Sequence, residues 1–257
     1  MRYIAFTIWS ACVLVGPVLH AEELRVMSAG GTAATHLALV ASFERATGHT
    51  VVTDAISNGV GPASISNRVR RGEPVDVVLL ARDILDELVA EGRVMPSSRV
   101  DLAQSSIGMA VRKGAPKPDI SSVDALKRAL LQARSIAYSP QVSGIYLTTE
   151  LFPRLGIAEQ MTKKGTRVDV GRVGTVVARG DAELGFQQIS ELLEVPGVDL
   201  VGPLPPGAQR VTLFSAGIVA GTRHPEAAQA LIEHLRSPLG LDTMVKNGLE
   251  PVVNQPR

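Results

Sequence analysis

Two adjacent glutamines close an apolar run in AELGFQQISELL, residues 182–193. Leu184, Gly185 and Phe186 read as a buried strand, Gln187 and Gln188 stand where it emerges, and a helical stretch follows. Each amide both donates and accepts, so the pair suits either a polar turn or recognition of a polar ligand. Other hydrogen-bonding side chains fall in comparable places: Ser28 and Thr32 in SAGGT, Asn58 in ISNGVGPAS, and Ser139, Ser143 and Tyr146 in YSPQVSGIY. Ser and Asn also serve turns and caps for local reasons. Ser143 is the strongest of this set, because a cap serine beside free N–H groups makes an anion nest. Tyr146 has interior packing as its competing reading.

Charged candidates are few. Arg82 follows VDVVLLA and Arg172 sits in VGRVGT ahead of a helix. The planar fork of Arg grips a carboxylate with two bonds, although either residue equally suits an exposed first helical turn. Arg68, Arg70 and Arg71 read as a solvated helix face. His36 lies early in the helix after SAGGT and titrates near neutrality, which suits proton transfer; a helix-side histidine is the alternative. Glu191 would repel an anionic ligand unless protonated, and reads as helix surface. His49, His224 and His234 have no spacing that makes a metal site. No Gly-x-Ser-x-Gly, Walker loop or His-Glu-x-x-His occurs, so hydrolase, nucleotide and zinc-protease chemistry lack support, and no cofactor is expected.

The positioning elements alternate between strand and helix patterns. LRVMSAG, TVVTDA, VDVVLL, SSIGMAVR, SIAYS, ELGFQQ and RVTLFSAGIVAG read as strands, while VDLVGPLP closes the second cycle. THLALVASFERATG, PASISNRVRRG, ARDILDELVAEG, SSVDALKRALLQA, GIYLTTELFPRLG, VGTVVARG, PEAAQALIEHLRS and PLGLDTMVKNGL read as helices. Near-continuous apolar strands separated by helices predict an α/β fold with parallel sheets. Two cycles of this kind predict two lobes. In such sheets ligands gather beyond the carboxyl ends of strands, where SAGGT, ISNGVGPAS, LLARD, YSPQVSGIY and FQQIS lie. Several lead into helices, whose N-termini attract anions.

The opening MRYIAFTIWSACVLVGPVLHAEE has one Arg, an apolar stretch and a small-residue site, the pattern of a secretory signal cut after Ala21. The expected compartment is a bacterial periplasm. Cleavage would remove the single Cys (Cys12) and the single Trp (Trp9), excluding disulfides, thiol chemistry and a tryptophan-stacked sugar site. The formal charge of +1, without a basic block, does not suggest nucleic acid.

The order of LRVMSAGG, FERATGHTV, RVRRGEPVDVVLLA, SGIY before a helix, VARGDAELGF and PEAAQALIEHLRSP resembles the periplasmic type II solute-binding proteins, in particular the molybdate-binding-protein-like group. GEPVDVVLL is the strongest piece, similar to that group's Gly-x-Pro-x-Asp-hydrophobic strand. The resemblance implies a two-lobed α/β fold with a ligand cleft between the lobes: residues 22–104 and 212–257 as lobe 1, 105–211 as lobe 2, after a signal at 1–21. The chain would cross near Ser105–Gly108 and again near Thr212–Ser215. It also implies a small-molecule partner, a monomer, and an inner-membrane transporter if the protein only delivers its ligand.

The departures from the group concern the ligand. Gly31 stands where the first loop would carry Ser, SNGVGPA with Pro62 replaces a short Ser-rich loop, and Gln188 falls where a tyrosine is expected. A tetrahedral oxyanion therefore fits poorly, and Gln188 is the glutamine expected to face the ligand. The phrases GAPKPDISSVDALK, SIAYS and GFQQISELL resemble a branch that includes periplasmic aconitate isomerases. That resemblance implies a cleft for a planar, multiply charged organic acid such as a tricarboxylate, and the candidates to bind it are Ser28, Gly31, Thr32, Asn58, Arg82, Ser139, Ser143, Arg172 and Gln188. Isomerisation would be a 1,3-proton shift without metal or cofactor, with His36 and Tyr146 both open as the carrier. The alternative is a binding protein for a small organic anion.

Overall fold

The structure, a computed structural model, describes residues 21–56 and 61–253. The expected signal, save Ala21, and Asn58 lie outside these residues.

The chain opens with β1 (Glu23–Ala29), α1 (Gly30–Thr47), β2 (Thr50–Ile56), α2 (Ile65–Arg70), β3 (Val77–Ala81) and α3 (Arg82–Ala90). A long strand, β4 (Val100–Arg112), leads to α4 (Val123–Gln132), β5 (Ile136–Tyr138), α5 (Val142–Tyr146), α6 (Phe152–Arg154), α7 (Ala158–Lys164) and β6 (Gly165–Arg167). Then follow α8 (Val173–Arg179), β7 (Leu184–Gln188), α9 (Ile189–Leu193), β8 (Val198–Pro203), β9 (Val211–Ile218), α10 (Pro225–Leu235), α11 (Pro238–Lys246) and β10 (Glu250–Pro251). The strands form one curled sheet in the order β2-β1-β3-β9-β4-β7-β5-β6, with β8 and β10 also paired to β4.

β4 joins the two halves. Its residues Val100–Ser106 run antiparallel to β9, and Ile107–Arg112 pair with β7 and β8. Separate cores lie on either side of this crossing. One gathers Leu24, Phe43, Leu79, Phe214 and Leu231, with a neighbouring cluster of Ile65, Leu80, Leu85 and Leu88. The other gathers Ile107, Met109, Leu126, Leu151, Phe152 and Phe186. Each such side chain, fully buried, contributes about 1.5–3 kcal/mol.

Local chemistry explains the helix boundaries. Gly48 ends α1 at φ 77° with its N–H on the Glu44 carbonyl, a left-handed cap that costs glycine no Cβ clash. Ser64, Ser122 and Ser237 cap α2, α4 and α11 with their hydroxyls, and Pro238 occupies the first turn of α11, where no N–H is missed. The stretch expected as one helix in GIYLTTELFPRLG divides into α5, a π-helical turn at Leu147–Leu151, and α6. Pro153 has no N–H to return to Thr149, so the regular ladder widens there. The exposed α7 and the three-residue edge strand β6 carry no periodicity strong enough to announce them.

Candidate functional site

The N-terminus of α1 is the point on which several strand ends converge. Ala29 is its N-cap residue and offers no side-chain acceptor. Gly30 follows, and a Cβ there would collide with Glu191 Oε1, lie 3.1 Å from Glu191 Cδ, and reach Gln141 Oε1 at 3.8 Å. Glycine there leaves the Glu191 carboxyl room to lie over the start of α1. Ser190 reinforces the meeting by donating from Oγ to the Gly31 carbonyl at 2.9 Å.

Glu191 is the centre of this cluster. It is 6% exposed and accepts from Gln187 Nε2 at 2.8 Å. The backbone N–H of Gln188, the N-cap residue of α9, lies near enough to favour the ionised form of the Glu191 carboxyl. Burial raises its pKa from 4.5 to about 7, against the lowering effects of the Gln187 bond, the Arg172 charge and the Gln188 N–H, while the Glu194 charge raises it further. A dry carboxyl of this kind carries its proton about half the time at neutral pH. The expectation that Glu191 lies on a helix surface is thus corrected: α9 is short, and its first turn faces α1 rather than solvent. The sequence signal that could have found it is the capping-box spacing from Gln188 to Glu191 next to a converging Gly-Gly.

The two glutamines divide their work as alternation requires. Gln187 accepts from Val173 N at 3.1 Å and donates to Glu191, so it ties the start of α8 to the cluster. Gln188 points the other way, with its amide 2.8 Å from Thr212 Oγ1. With its oxygen on that hydroxyl, its nitrogen donates to Ser105 Oγ at 3.0 Å and to the Ser105 carbonyl at 3.1 Å. Gln188 therefore binds the crossing strands, and Gln187 is the glutamine that joins the carboxyl cluster.

The remaining candidates separate by partner. Ser28 and Thr32 are buried at the β1–α1 corner, with their hydroxyls 3.1 Å apart and both on the Ala29 carbonyl. Ser139 and Ser143 hold the β5–α5 corner, 3.4 Å apart, with Gln141 N donating to Ser139 Oγ. Arg172 pairs with Glu194 at 2.5 Å beside Glu191, which places it at the cluster. Arg82 is spent on Asp86 and Asp101 at 3.5 and 3.1 Å, so acidic groups of its own half already neutralise it. Arg68, Arg70 and Arg71 pair with surface carboxylates, as a solvated face should.

Neither proposed proton carrier faces the cluster. His36 is fully buried, with Nε2 2.8 Å from Thr53 Oγ1 on β2 and Nδ1 without a partner. Burial lowers its pKa to about 4, so it is neutral at pH 7 and a poor base. The Tyr146 hydroxyl donates to the Ala208 carbonyl at 3.0 Å and accepts from Arg154 Nη2 at 3.1 Å. Its ring belongs to the second core. That hydroxyl is a structural tie. Beside Tyr146 a groove of about 350 Å³ runs between the two halves, with Ser64, Asn67 and Asp83 on one side and Val142, Ile145 and Arg210 on the other.

Gly31 is buried in its own right. A Cβ there would strike the Phe214 ring, coming within 2.8 Å of Cε2. Restoring the serine of the molybdate-type loop, Gly31→Ser, should therefore destabilise the protein by about 1–3 kcal/mol. Urea unfolding measures this, and an unchanged midpoint would show that Phe214 yields freely.

The residues 24–250 match the family described as bacterial extracellular solute-binding protein. The chain belongs to that family. Among its solute-binding relatives, the Azotobacter vinelandii periplasmic molybdate-binding protein superposes with a TM-score of 0.70 at 22% identity, covering 90% of this chain and 100% of the other. A periplasmic thiamin-binding protein gives the same TM-score at 17% identity, covering 91% and 84%. These likenesses establish the type II two-lobed architecture with its cleft. In sequence, the molybdate-binding protein ModA of Azotobacter vinelandii is 27% identical over 249 residues, 91% of this chain and 92% of the relative. An aconitate isomerase from Pseudomonas sp is 48% identical over 244 residues, 93% of each chain.

Proposed function

We propose that the protein interconverts trans- and cis-aconitate in its cleft by a 1,3-proton shift, working in the periplasm as a monomer. The observation that carries this reading is the 48% identity, over nearly the whole chain, to a protein that is an aconitate isomerase. The site is consistent with it. The α1 N-terminus and the β5–α5 corner supply N–H and hydroxyl donors for carboxylates, with the Arg172–Glu194 pair beside them. A tricarboxylate held this way needs no metal. Lobe 1 is taken as residues 22–104 and 212–257 and lobe 2 as 105–211, closing over the substrate.

Delivery of a small organic anion to a transporter is the second reading, favoured by the family itself and by the full-length molybdate-binding relative. Proton NMR of the protein with trans-aconitate in D₂O separates the two. Appearance of cis-aconitate, with deuterium in the methylene, is the expected result. Broadening of the ligand signals without conversion would replace the isomerase by a carrier. Molybdate is expected not to compete.

A further inference from the structure

A proton shift needs a group that accepts a proton from one carbon and gives one to another, at a pH where both states are populated. Among the described residues three carboxyl groups are buried: Asp76, Asp101 and Glu191. Asp76 holds the Arg25 N–H and the Thr222 hydroxyl. Asp101 is bound by Arg82, Arg99 and Ser215. Glu191 alone lies where the carboxyl ends of β1 and β7 and the start of α5 converge, over the Gly30 backbone. Its side chain is steadied by an amide, that of Gln187, rather than neutralised by direct pairing, because the nearby Arg172 is engaged by Glu194.

We infer that Glu191 is the catalytic residue that carries the proton in the isomerisation. The inference rests on the isomerase reading above. In the forward direction the ionised Glu191 takes a proton from the methylene carbon of trans-aconitate. The released electron pair spreads over the three-carbon unit and onto the adjoining terminal carboxylate, next to the N–H groups of α1. Glu191, now protonated, gives a proton to the former vinylic carbon. The double bond then joins the central carbon to the former methylene carbon, and Glu191 is ionised again. No electrons leave the substrate, and no co-reactant is consumed.

The groups facing Glu191 are compatible with this cycle. Gln187 comes from β7, Gln141 from the start of α5, and Gly30, with no side chain, from α1; Arg172 precedes α8, and Glu194 caps the end of α9. Burial holds the carboxyl near neutrality, at about 7, so both protonation states are available in the cycle. Glutamine at this position keeps an oxygen to accept from Gln187 Nε2, which permits the test.

Glu191→Gln keeps the size and the acceptor oxygen but cannot take a proton. The expected result is a turnover reduced by about 100-fold or more, with trans-aconitate still bound and with loss of methylene deuterium exchange in D₂O. In the parent, kcat should rise with pH through an apparent pKa near 7, and this limb should vanish in the variant. Turnover within about three-fold of the parent, a range too small for a lost general base, would overturn the assignment while leaving the isomerase intact. A parent that binds without converting would instead sink the isomerase reading itself. Should Glu191→Gln not fold, the pH profile of the parent decides: a kcat that rises through an apparent pKa near 7 supports the role, and a kcat flat across neutrality refutes it.

Discussion

Replacing Gly144 by alanine is expected to cost about 3 kcal/mol or more and to open the β5–α5 corner. A Cβ at Gly144 would overlap the Ser139 carbonyl oxygen and lie 2.8 Å from its carbonyl carbon and 3.2 Å from its nitrogen. The obstacle is backbone on the neighbouring strand end, so no rotamer change relieves it. Helix α5 must lift away, drawing with it Ser143, Tyr146 and Leu147, all buried. Overpacking against movable side chains costs about 1–3 kcal/mol, and a backbone clash belongs at or above the top of that range. The urea midpoint should fall with an unchanged slope. A melting temperature within roughly 2 °C of the parent, equivalent to at most about 1 kcal/mol, would show that the corner adapts.

Glu191 and His36 should give opposite pH dependences of stability that hide each other in the parent. Glu191 has a folded pKa of about 7, above its ordinary 4.5. The native state thus holds a proton that the unfolded chain has lost, and stability falls as pH rises from 4.5 to 7. His36 has a folded pKa of about 4, below its ordinary 6.5. Here the unfolded chain binds the extra proton, so stability falls as pH drops from 6.5 to 4. Each displacement corresponds to on the order of 3 kcal/mol. In Glu191→Gln the His36 contribution is left alone, and stability should climb with pH across that window. In His36→Leu the Glu191 contribution is left alone, and stability should decline. Urea titrations at half-unit pH steps test both; parallel profiles for the two variants would refute the pairing. Glu191→Gln should also be more stable than the parent at pH 8, as expected when an ionised buried carboxyl is replaced by a neutral amide.

The architecture was legible because it depends on patterns that few residues set. Short apolar runs bounded by turn residues, such as Val77–Ala81, entirely buried, suit central strands, and the glycine and serine caps mark helix ends. The resemblance of GEPVDVVLL and its neighbours to the solute-binding group carried the remainder of the fold. The site was less legible, because direction and pairing decide it. Arg82 and Arg172 are alike in sequence, each beside a helix start. Only the fold gives Arg82 to Asp101 and sets Arg172 beside a buried carboxyl. Similarly, His36 and Tyr146 have the right chemistry but face Thr53 and Ala208. Glu191 was obscured because Glu early in a short helix is usually wet, and burial by α1 comes from residues far away in the chain.

The place of β9 has a consequence for how the molecule is made. This strand, residues 211–218, lies between β3 and β4 in the sheet. A chain emerging from its N-terminus therefore completes β1, β2 and β3 long before the strand that must stand beside them exists. Phe214, which packs into the first core and against Gly31, arrives with it. Until then the early strands present an unpaired edge and an unfilled interior, and pairing over so long a separation is slow. Synthesis thus leaves an interval in which the growing polypeptide cannot lock shut.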